Sequence, residues 1–314
     1  MEPGLFLDGL PHLSRQDAFA WCAEHGITAV EMGVSTWAVG HHLDLDALLA
    51  GTDERDRLQA ELRDHGLRLA CVNAASNPLH PDPAQRQHAQ DRLRGAVRLA
   101  HLLGVETVVT MSGTPGGRGA AGSTGVFPCW SVVPDDEPIW EWQFSEWLAP
   151  FWGDFSRWAR QEAPEVRVCL ELHPGCSVWG VDTFRRLEAV TVGNVGVNLD
   201  PSHFWWQGAD PLVVVEQLGP FIGHCHGKDT KIYPERVRVH GVLDARYPVR
   251  AAEASWHFAS IGTGHDLDTW RALLEAMRSA GYDGVVSIEH EDPSYVSREE
   301  GILVSLANLL KLIQ

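Results

Sequence analysis

FIGHCHGKD, residues 221–229, starts with apolar residues and ends with histidine, lysine and aspartate. Side chains alternate between the two faces of a strand, so His224, His226 and Lys228 share one face. Cys225 takes the opposite face. The apolar start indicates a buried strand, and the segment therefore predicts a strand that carries polar side chains at its C-terminal end.

The same pattern recurs along the chain. Each short apolar run is followed by a longer amphipathic stretch, and several of these stretches end in a glycine, as helices often do. Strands that alternate with helices pair in parallel through right-handed crossovers, and eight such units predict an α/β fold of the (β/α)8 TIM-barrel type. The predicted strands are GLFLDGL (4–10), ITAVEMGV (27–34), LRLACVNAA (67–75), ETVVTMS (106–112), VRVCLELHP (166–174), VGVNLDPSH (195–203), FIGHCHGKD (221–229) and GVVSIEHED (284–292).

Two segments lengthen the predicted barrel. The chain has 314 residues, whereas such barrels have about 250 before insertions. The excess falls in residues 113–140 and 230–266, which predict long loops after strands 4 and 7, on the catalytic face of this fold. GGRGAAG (116–122) matches G-x-G-x-x-G, but prolines follow instead of a helix, which favours an active-site loop over a dinucleotide site. No proline- or serine-rich linker divides residues 1–314, which predicts one domain.

The composition narrows the classes of function. With 44% hydrophobic and 21% charged residues, the chain can build a sizeable core, and a net charge of −17 disfavours nucleic acids and anionic membranes as partners. No apolar run approaches the roughly 20 residues of a membrane helix, and the N-terminus lacks a signal-peptide pattern. The six cysteines are scattered without a C-x-x-C pair. They indicate reduced thiols, and we expect a cytoplasmic protein.

Acids and histidines also close other predicted strands. The residues that share the inward face at these ends are Glu171 and His173, Asn198 and Asp200, and Ser287, Glu289 and Glu291. A lone histidine at a strand end is more often hydrogen-bonded packing than a metal ligand. Buried carboxylates are unfavourable unless paired or metal-bound, so three acids and one histidine at one barrel mouth predict a bound cation. Oxygen-rich ligation with one imidazole favours Mn²⁺, Mg²⁺ or Co²⁺ and leaves Zn²⁺ open.

Tryptophan is concentrated in one part of the chain. Six of the 13 tryptophans fall in residues 130–158. Trp152 and Trp158 lie in an apolar helical stretch, which predicts packing against the barrel. Trp130 and Trp140 lie in the long loop, where flat amphipathic rings suit stacking on a sugar or an aromatic aglycone. Packing and sugar stacking both remain open for these two residues.

Together these segments resemble the xylose-isomerase-like barrels grouped as sugar phosphate isomerases and epimerases, close to the endonuclease IV-like superfamily. The resemblance runs over nearly the whole chain and rests on Asn77-Pro78-Leu79-His80-Pro81, Glu171-Leu172-His173, Leu199-Asp200-Pro201-Ser202-His203, His226-Gly227-Lys228-Asp229 and Ile288-Glu289-His290. It implies one divalent metal, usually manganese. By resemblance its ligands are Glu171, Asp200, His226 and Glu289.

The resemblance also implies roles in catalysis. In the family's epimerases the two glutamates act as acid and base, and the histidine that corresponds to His203 contacts the substrate. The motif L-D-P-S-H-x-x-W-Q-G-x-D-P and the tryptophan-rich loop are similar to a branch that acts on 3-keto sugars and glycosides. This branch includes 3-keto-glycoside epimerases and the metal-bearing subunit of C-glycoside deglycosidases, and it implies that His173 is a catalytic base. We also expect substrate contacts from His80 and Lys228, although Lys228 pairing only with Asp229 stays open.

These features predict a metal-dependent isomerase or epimerase. It would remove the proton beside the carbonyl of a keto or aldo sugar, or of a 3-keto glycoside, and form an enediolate. The alternative is a lyase that cleaves a 3-keto C- or O-glycoside by β-elimination, as a subunit of a complex or alone. An endonuclease IV-type phosphodiesterase is disfavoured, because those relatives bind three zinc ions and carry a basic groove.

Partners follow from the same features. The sequence has no phosphate-cradling loop or basic cluster, which favours a neutral sugar as the small-molecule substrate. We expect no nucleic-acid and no membrane partner. A homo-oligomer and a complex with a small partner subunit are both compatible with the resemblance.

Overall fold

Eight parallel strands close into a barrel in the computed structural model, which describes residues 1–35, 42–117, 139–244 and 246–313. The order around the barrel is β1-β10-β7-β6-β5-β4-β3-β2, and β8 pairs with β9 in a separate antiparallel sheet. The predicted (β/α)8 barrel is therefore confirmed. The strands are β1 (Glu2–Phe6), β2 (Ala29–Gly33), β3 (Arg68–Asn73), β4 (Thr107–Met111), β5 (Arg167–Glu171), β6 (Val195–Leu199), β7 (Ile222–Gly227), β8 (Asp229–Ile232), β9 (Trp256–Ala259) and β10 (Val285–Ile288).

Helices surround the barrel and begin at recognisable caps. Asp82 accepts a hydrogen bond from the Gln85 amide at the start of α4, and Asp200 accepts one from the Ser202 amide at the start of α8. A π-helical turn, Phe144–Leu148, joins α5 to α6. The helices are α1 (Arg15–Glu24), α2 (Leu45–Ala50), α3 (Thr52–Asp64), α4 (Pro83–Leu103), α5 (Ile139–Gln143), α6 (Ala149–Glu162), α7 (Val181–Glu188), α8 (Pro201–Trp205), α9 (Pro211–Leu218), α10 (Pro234–His240), α11 (Leu267–Ser279) and α12 (Arg298–Ile313).

None of the helices in the described ranges combines the length and the apolar character needed to cross a membrane. Their apolar side chains instead pack against the outside of the barrel. Cys225 belongs to this outer core, as strand alternation predicts. Inside the barrel, Cys71, Val109 and Cys169 form a small apolar cluster of their own. The interior below the barrel mouth is thus filled with side chains, and a ligand has to approach from the mouth.

The structure corrects two boundaries of the predicted elements. The strand predicted at residues 4–10 ends at Phe6, and residues 7–9 form a 3-10 turn. The segment 230–266 is not simply a loop, since it contains most of β8, all of α10 and all of β9. Most of the loop predicted after β4, including Trp130, lies outside the described residues.

Candidate metal centre

Four neighbouring strands bring the predicted metal ligands together. Strands β10, β7, β6 and β5 are adjacent in the barrel, and their C-terminal ends carry Glu289, His226, Asp200 and Glu171. One ligand atom from each of these residues lies within 4.8 Å of the others. Parallel strands place their C-terminal ends at the same mouth, so alternation of side chains is sufficient to make all four converge.

Two buried atoms of this cluster, His226 Nδ1 and Asp200 Oδ2, meet hydrogen-bond geometry with no described residue, although Lys228 Nζ lies 3.0 Å from Asp200 Oδ2 as an ion-pair partner. His226 Nδ1 lies 3.2 Å from a Glu171 oxygen and 3.1 Å from a Glu289 oxygen, but hydrogen-bond geometry is not met with either. Buried polar atoms are rarely left without partners, because desolvation is then uncompensated. A cation among three carboxylates and one imidazole nitrogen would supply the missing partner. The residues therefore fit a divalent metal.

Lys228 carries positive charge into this acidic cluster. Its Nζ lies 2.6 Å from a Glu289 oxygen, 2.9 Å from a Glu291 oxygen and 3.0 Å from Asp200 Oδ2. Burial lowers the pKa of Lys228, but the Asp200 and Glu289 carboxylates outweigh it and raise the pKa well above its ordinary value. The ammonium group therefore persists, and its three donors face carboxylates of the protein.

Asp229 is not the partner of Lys228. Its carboxylate instead accepts hydrogen bonds from the backbone amides of residues 262, 264 and 265 and from the indole of Trp270. The alternative in which Lys228 only pairs with Asp229 is therefore wrong. Lys228 therefore contacts the barrel mouth, whereas its neighbour Asp229 contacts the end of the inserted hairpin, which is formed by β8 and β9.

The two glutamates of the cluster are carboxylates. Burial opposes ionisation of Glu171, but the hydrogen bond from His203 brings its pKa well below the ordinary value. Burial also raises the pKa of Glu289, but the charge of Lys228 outweighs this and the net shift is downward. Both side chains can therefore act as anionic ligands or as proton acceptors.

Two further histidines lie against Glu171. His203 Nε2 is 2.7 Å from one Glu171 oxygen and 3.2 Å from Asp200 Oδ2. The His173 ring packs edge-on against the His203 ring at 4.3 Å. His173 Nδ1 accepts a hydrogen bond from the Gly175 amide at 2.8 Å, and burial lowers the pKa of His173 to about 3. A neutral imidazole that accepts at Nδ1 carries its proton on Nε2, so His173 presents a donor.

The remaining predicted substrate residues lie apart from the cluster. His80 Nδ1 accepts a hydrogen bond from the Asp82 amide at the start of α4. Trp140 lies in α5 and not in a loop; its indole donates to the Ser177 carbonyl and its ring packs against Trp179. In the described part of the chain, no hydrogen bond, ion pair or ring contact joins either residue to the four ligands.

Glu31 is a buried residue of the site that the sequence analysis missed. It lies in the middle of β2 and accepts hydrogen bonds from Asn73 at 2.7 Å and from His224 at 2.8 Å. Burial raises its pKa, but His226 and His224 outweigh this and bring the pKa well below the ordinary value. Alternation along β2 places Glu31 on the inward face, but its position in the middle of the strand differs from the strand-end pattern of the other acids.

A cavity of about 590 Å³ opens at the barrel mouth beside the cluster. Glu289 and Glu291 form one wall, Phe6 and Met111 lie on others, and Tyr295 and Arg298 come from the segment after β10. Its volume lies within the range of about 300–1,000 Å³ that small-molecule sites span. The cluster is thus accessible to a small ligand through Glu289.

Three solved structures illustrate the likeness of this fold to known proteins. A probable 3-DHS dehydratase, AsbF, from Bacillus anthracis has a TM-score of 0.67 at 17% identity, covering 99% of this chain and 98% of that one. The 3-keto-D-glucoside 4-epimerase YcjR from E. coli has a TM-score of 0.66 at 16% identity, with 99% of both chains covered. The IOLI protein with a bound zinc atom has a TM-score of 0.66 at 20% identity, covering 100% and 98%. At these identities the likeness shows the fold.

Sequence comparison gives the family. The chain is 34% identical to the uncharacterized protein YfiH of Bacillus subtilis over 319 aligned positions, which cover 100% of this chain and 99% of YfiH. Residues 19–312 match the family described as xylose isomerase-like TIM barrel. This match spans the barrel strands from β2 to β10 and all four residues of the cluster. The protein belongs to the xylose isomerase-like TIM-barrel family.

Proposed function

We propose that the protein is a divalent-metal-dependent isomerase or epimerase that acts on a keto or aldo sugar, or on a 3-keto glycoside. One observation carries the proposal: three carboxylates and one imidazole converge at the barrel mouth, and two of their buried atoms meet hydrogen-bond geometry with none of the described residues. The reaction removes the proton beside the substrate carbonyl and passes through an enediolate. Return of the proton to the other face gives an epimer, and return to the neighbouring carbon gives an isomer.

The proposed ligands are Glu171, Asp200, His226 and Glu289. Their oxygen-rich set favours Mn²⁺, with Mg²⁺, Co²⁺ and Zn²⁺ as alternatives, and zinc gains support from the zinc atom of the structurally similar IOLI protein. When bound, the ion would polarise the substrate carbonyl and so acidify the neighbouring C–H.

Glu289 is the proposed base. Its side chain is 16% exposed, whereas the Glu171 side chain is 4% exposed, and Glu289 lies on the cavity wall. A proton acceptor has to come within hydrogen-bond distance of the carbon acid, which favours the more accessible carboxylate. The Lys228 ammonium, 2.6 Å from Glu289 Oε2, stabilises the charged form between turnovers.

Glu171 is the proposed proton carrier on the opposite side of the substrate; it is a carboxylate in the resting protein and acts as an acid only after it has taken up a proton. His203 holds one Glu171 oxygen at 2.7 Å and can exchange a proton with it, because His203 Nε2 reaches no other acceptor closer than 3.2 Å. His173, predicted as a base by resemblance, takes a different part in this proposal. With its proton on Nε2 it donates a hydrogen bond to a substrate oxygen, while Glu289 removes the carbon-bound proton.

We propose further substrate contacts from residues beside the cluster and from residues farther along the mouth. His203 lies beside the ligand Glu171, and Lys228 lies beside Glu289, so both reach the reacting region. Because the three Lys228 donors already face carboxylates, we propose that Lys228 acts mainly by charge. His80 and Trp140 would contact only an extended substrate, such as a glycoside with an aglycone; Trp130 lies outside the described residues.

A lyase is the second candidate, favoured by the structural likeness to a probable dehydratase. The same residues would remove the proton beside the carbonyl. If the substrate carries a leaving group β to that carbonyl, the electron pair expels it instead of recapturing a proton. A 3-keto C- or O-glycoside is the corresponding substrate. A homo-oligomer, or a complex with a small partner subunit, belongs to this proposal, and size-exclusion chromatography with light scattering tests both.

Deuterium exchange from solvent tests the proposed function. The metal-free protein is loaded with Mn²⁺ in D₂O and incubated with keto sugars and 3-keto glycosides, and exchange at the carbon beside the carbonyl is followed by NMR. We expect exchange with at least one substrate class and none with EDTA-treated protein. Exchange with retention of the carbon skeleton supports an isomerase or epimerase, whereas release of the aglycone supports the lyase.

Two results would overturn the enediolate mechanism. One is the absence of exchange with every carbonyl substrate although the protein is folded and holds the metal. The other is incision of a DNA duplex with an abasic site by the same sample, which would favour a phosphodiesterase despite the net charge of −17.

A further inference from the structure

We propose that Glu31 is a positioning residue that fixes the proton of His226 on Nε2 and thereby directs the Nδ1 lone pair at the metal. The inference rests on the proposed metal site and extends it into the barrel, to a residue outside the predicted ligand set. Its basis is a chain of contacts that runs from β2 to β7 underneath the four ligands.

The two nitrogens of His226 face opposite sides. Nε2 lies 3.1 Å and 3.2 Å from the two oxygens of Glu31, and hydrogen-bond geometry is met with both. Nδ1 faces Glu171 and Glu289 and meets hydrogen-bond geometry with neither. An imidazole that binds a metal is neutral and has one N–H, and a carboxylate only accepts, so the proton belongs on Nε2 once a metal is bound. The nitrogen without a partner is then the one with a free lone pair.

Glu31 is itself held from three sides. Asn73 donates to one oxygen at 2.7 Å, and His224 Nε2 lies 2.8 Å from the other. Asn73 is in turn fixed through its own side-chain oxygen, which accepts the Ala75 amide at 2.8 Å. A carboxylate with this many partners cannot rotate without breaking a buried hydrogen bond. It can therefore determine the orientation and the tautomer of His226, as carboxylates behind metal-bound histidines do.

A second metal is the competing explanation. Glu31, Cys71 and His224 place ligand atoms within 4.8 Å of one another. However, His224 Nε2 and both oxygens of Glu31 are already hydrogen-bonded to each other, to Asn73 or to His226. Cys71 packs with Val109 and Cys169 in the apolar cluster inside the barrel, and burial raises its thiol pKa well above the ordinary value. A protonated thiol in apolar surroundings is a poor metal ligand, which favours the positioning role.

The experiment compares wild-type protein with Glu31→Gln, Glu31→Asp and Cys71→Ala. Metal content is measured by mass spectrometry of dialysed protein, and metal affinity by competition with a chromogenic chelator. The protonated nitrogen of His226 is identified in zinc-loaded, ¹⁵N-histidine-labelled protein by long-range ¹H–¹⁵N NMR. Circular dichroism shows which variants are folded.

We expect one metal ion in the wild type, with the His226 proton on Nε2. Glu31→Gln replaces an acceptor by a group that also donates, and should weaken metal affinity about 10–100-fold and shift His226 toward the other tautomer. Glu31→Asp keeps the charge and should lie between the two; if Glu31→Gln does not fold, this variant decides. Cys71→Ala should bind one ion with wild-type affinity.

The outcomes separate the inference from the proposed function. A wild-type protein that binds no divalent ion overturns both. A wild type that binds one ion, with unchanged affinity and unchanged His226 tautomer in the folded Glu31 variants, overturns the positioning role alone. Two ions in the wild type and one in Cys71→Ala would replace it by a second metal site.

Discussion

Two buried aspartates that follow the neighbouring barrel strands β6 and β7 show opposite hydrogen bonding. Asp200 follows β6; its Oδ1 accepts the Ser202 amide at 2.9 Å, and its Oδ2 forms an ion pair with Lys228 at 3.0 Å but meets hydrogen-bond geometry with no described residue. Asp229 begins β8, and both of its oxygens are filled. The donors to Asp229 are the amides of Thr230, Gly262, Gly264 and His265, the His265 ring and the Trp270 indole.

This contrast separates an acid with a structural role from an acid with a functional role. A filled carboxylate contributes to folding, because each donor is satisfied within the protein. A buried carboxylate oxygen that meets hydrogen-bond geometry with no described donor keeps a lone pair for something outside the chain. Burial alone does not distinguish the two, since Asp200 is 1% and Asp229 0% exposed. The following predictions test this distinction.

The largest effect is expected at Glu289, the acid of the open cluster that reaches the cavity. Glu289→Gln removes the proposed proton acceptor and should lower kcat about 10²–10⁴-fold while the protein stays folded. Turnover and solvent deuterium exchange on the substrate identified above measure the effect. Glu291→Gln is the matched control on the same strand end, and its loss should be much smaller. Equal losses in both variants would contradict the assignment of Glu289 as base.

Stability should respond to the filled carboxylate. Asp229→Asn places an NH₂ group against buried donors and should lower the free energy of unfolding by about 3 kcal/mol or more, because at least one of them loses its acceptor. In metal-free protein, Asp200→Asn should lower it by less than Asp229→Asn does, because Asn can still accept the Ser202 amide and Lys228 keeps two other carboxylate partners. Urea titrations of both variants measure the difference. A larger loss of stability in Asp200→Asn than in Asp229→Asn would mean that the number of hydrogen bonds to a buried carboxylate does not indicate its structural role.

Metal binding should distinguish the aspartates in the opposite sense. At a free metal concentration 100 times Kd, the wild type should gain about 2.7 kcal/mol of stability over EDTA-treated protein. Asp200→Asn should gain little at that concentration, because it lacks one proposed ligand. Asp229→Asn keeps all four proposed ligands, so its folded molecules should gain the same stability from the metal as the wild type. Thermal unfolding with and without Mn²⁺ gives these values, and a full gain in Asp200→Asn would remove Asp200 from the ligand set.

The smallest effect is expected at Ser202, which refines the distinction. Its hydroxyl is buried and has no hydrogen-bond partner in the described ranges. It is not one of the four clustered ligand residues, so its missing partner alone does not indicate a ligand. Ser202→Ala should raise the free energy of unfolding by at most about 1 kcal/mol, since an unsatisfied group is removed. Metal affinity should not change; a tenfold loss would place the hydroxyl in the site.

The barrel strands could be predicted from the sequence, because buried strands and helices have a regular spacing of apolar residues. All eight predicted barrel strands overlap observed ones. The same spacing misplaced the end of β1, since Leu7 and Leu10 are fully buried although they lie outside the strand. Apolar character reports burial and does not report backbone hydrogen bonding. The pairing of β8 with β9 was missed for a related reason, because the partner strands are short and separated by the whole of α10.

Part of the candidate site could also be predicted from single strands. Alternation brought Glu171, Asp200 and Glu289 to one mouth, but the choice of His226 over His224 required the family resemblance. Glu31 was missed because its role depends on β7, 193 residues away from it at His224. The partners of Lys228 and Asp229 could not be predicted for the same reason. The neighbours of a side chain lie on other strands, and the sequence around one strand does not show which strands these are.

Asp229 also joins the two ends of the inserted hairpin. It stands where the inserted hairpin leaves the barrel, and most of its donors, residues 262–265 and Trp270, stand where the chain rejoins it. The start and the end of the insertion are therefore joined at one point, and its Trp256 and Phe258 pack with Trp206, which follows α8. We expect the hairpin to behave as an exchangeable cassette, which relatives or protein engineers can replace to alter substrate range while the metal ligands stay in place.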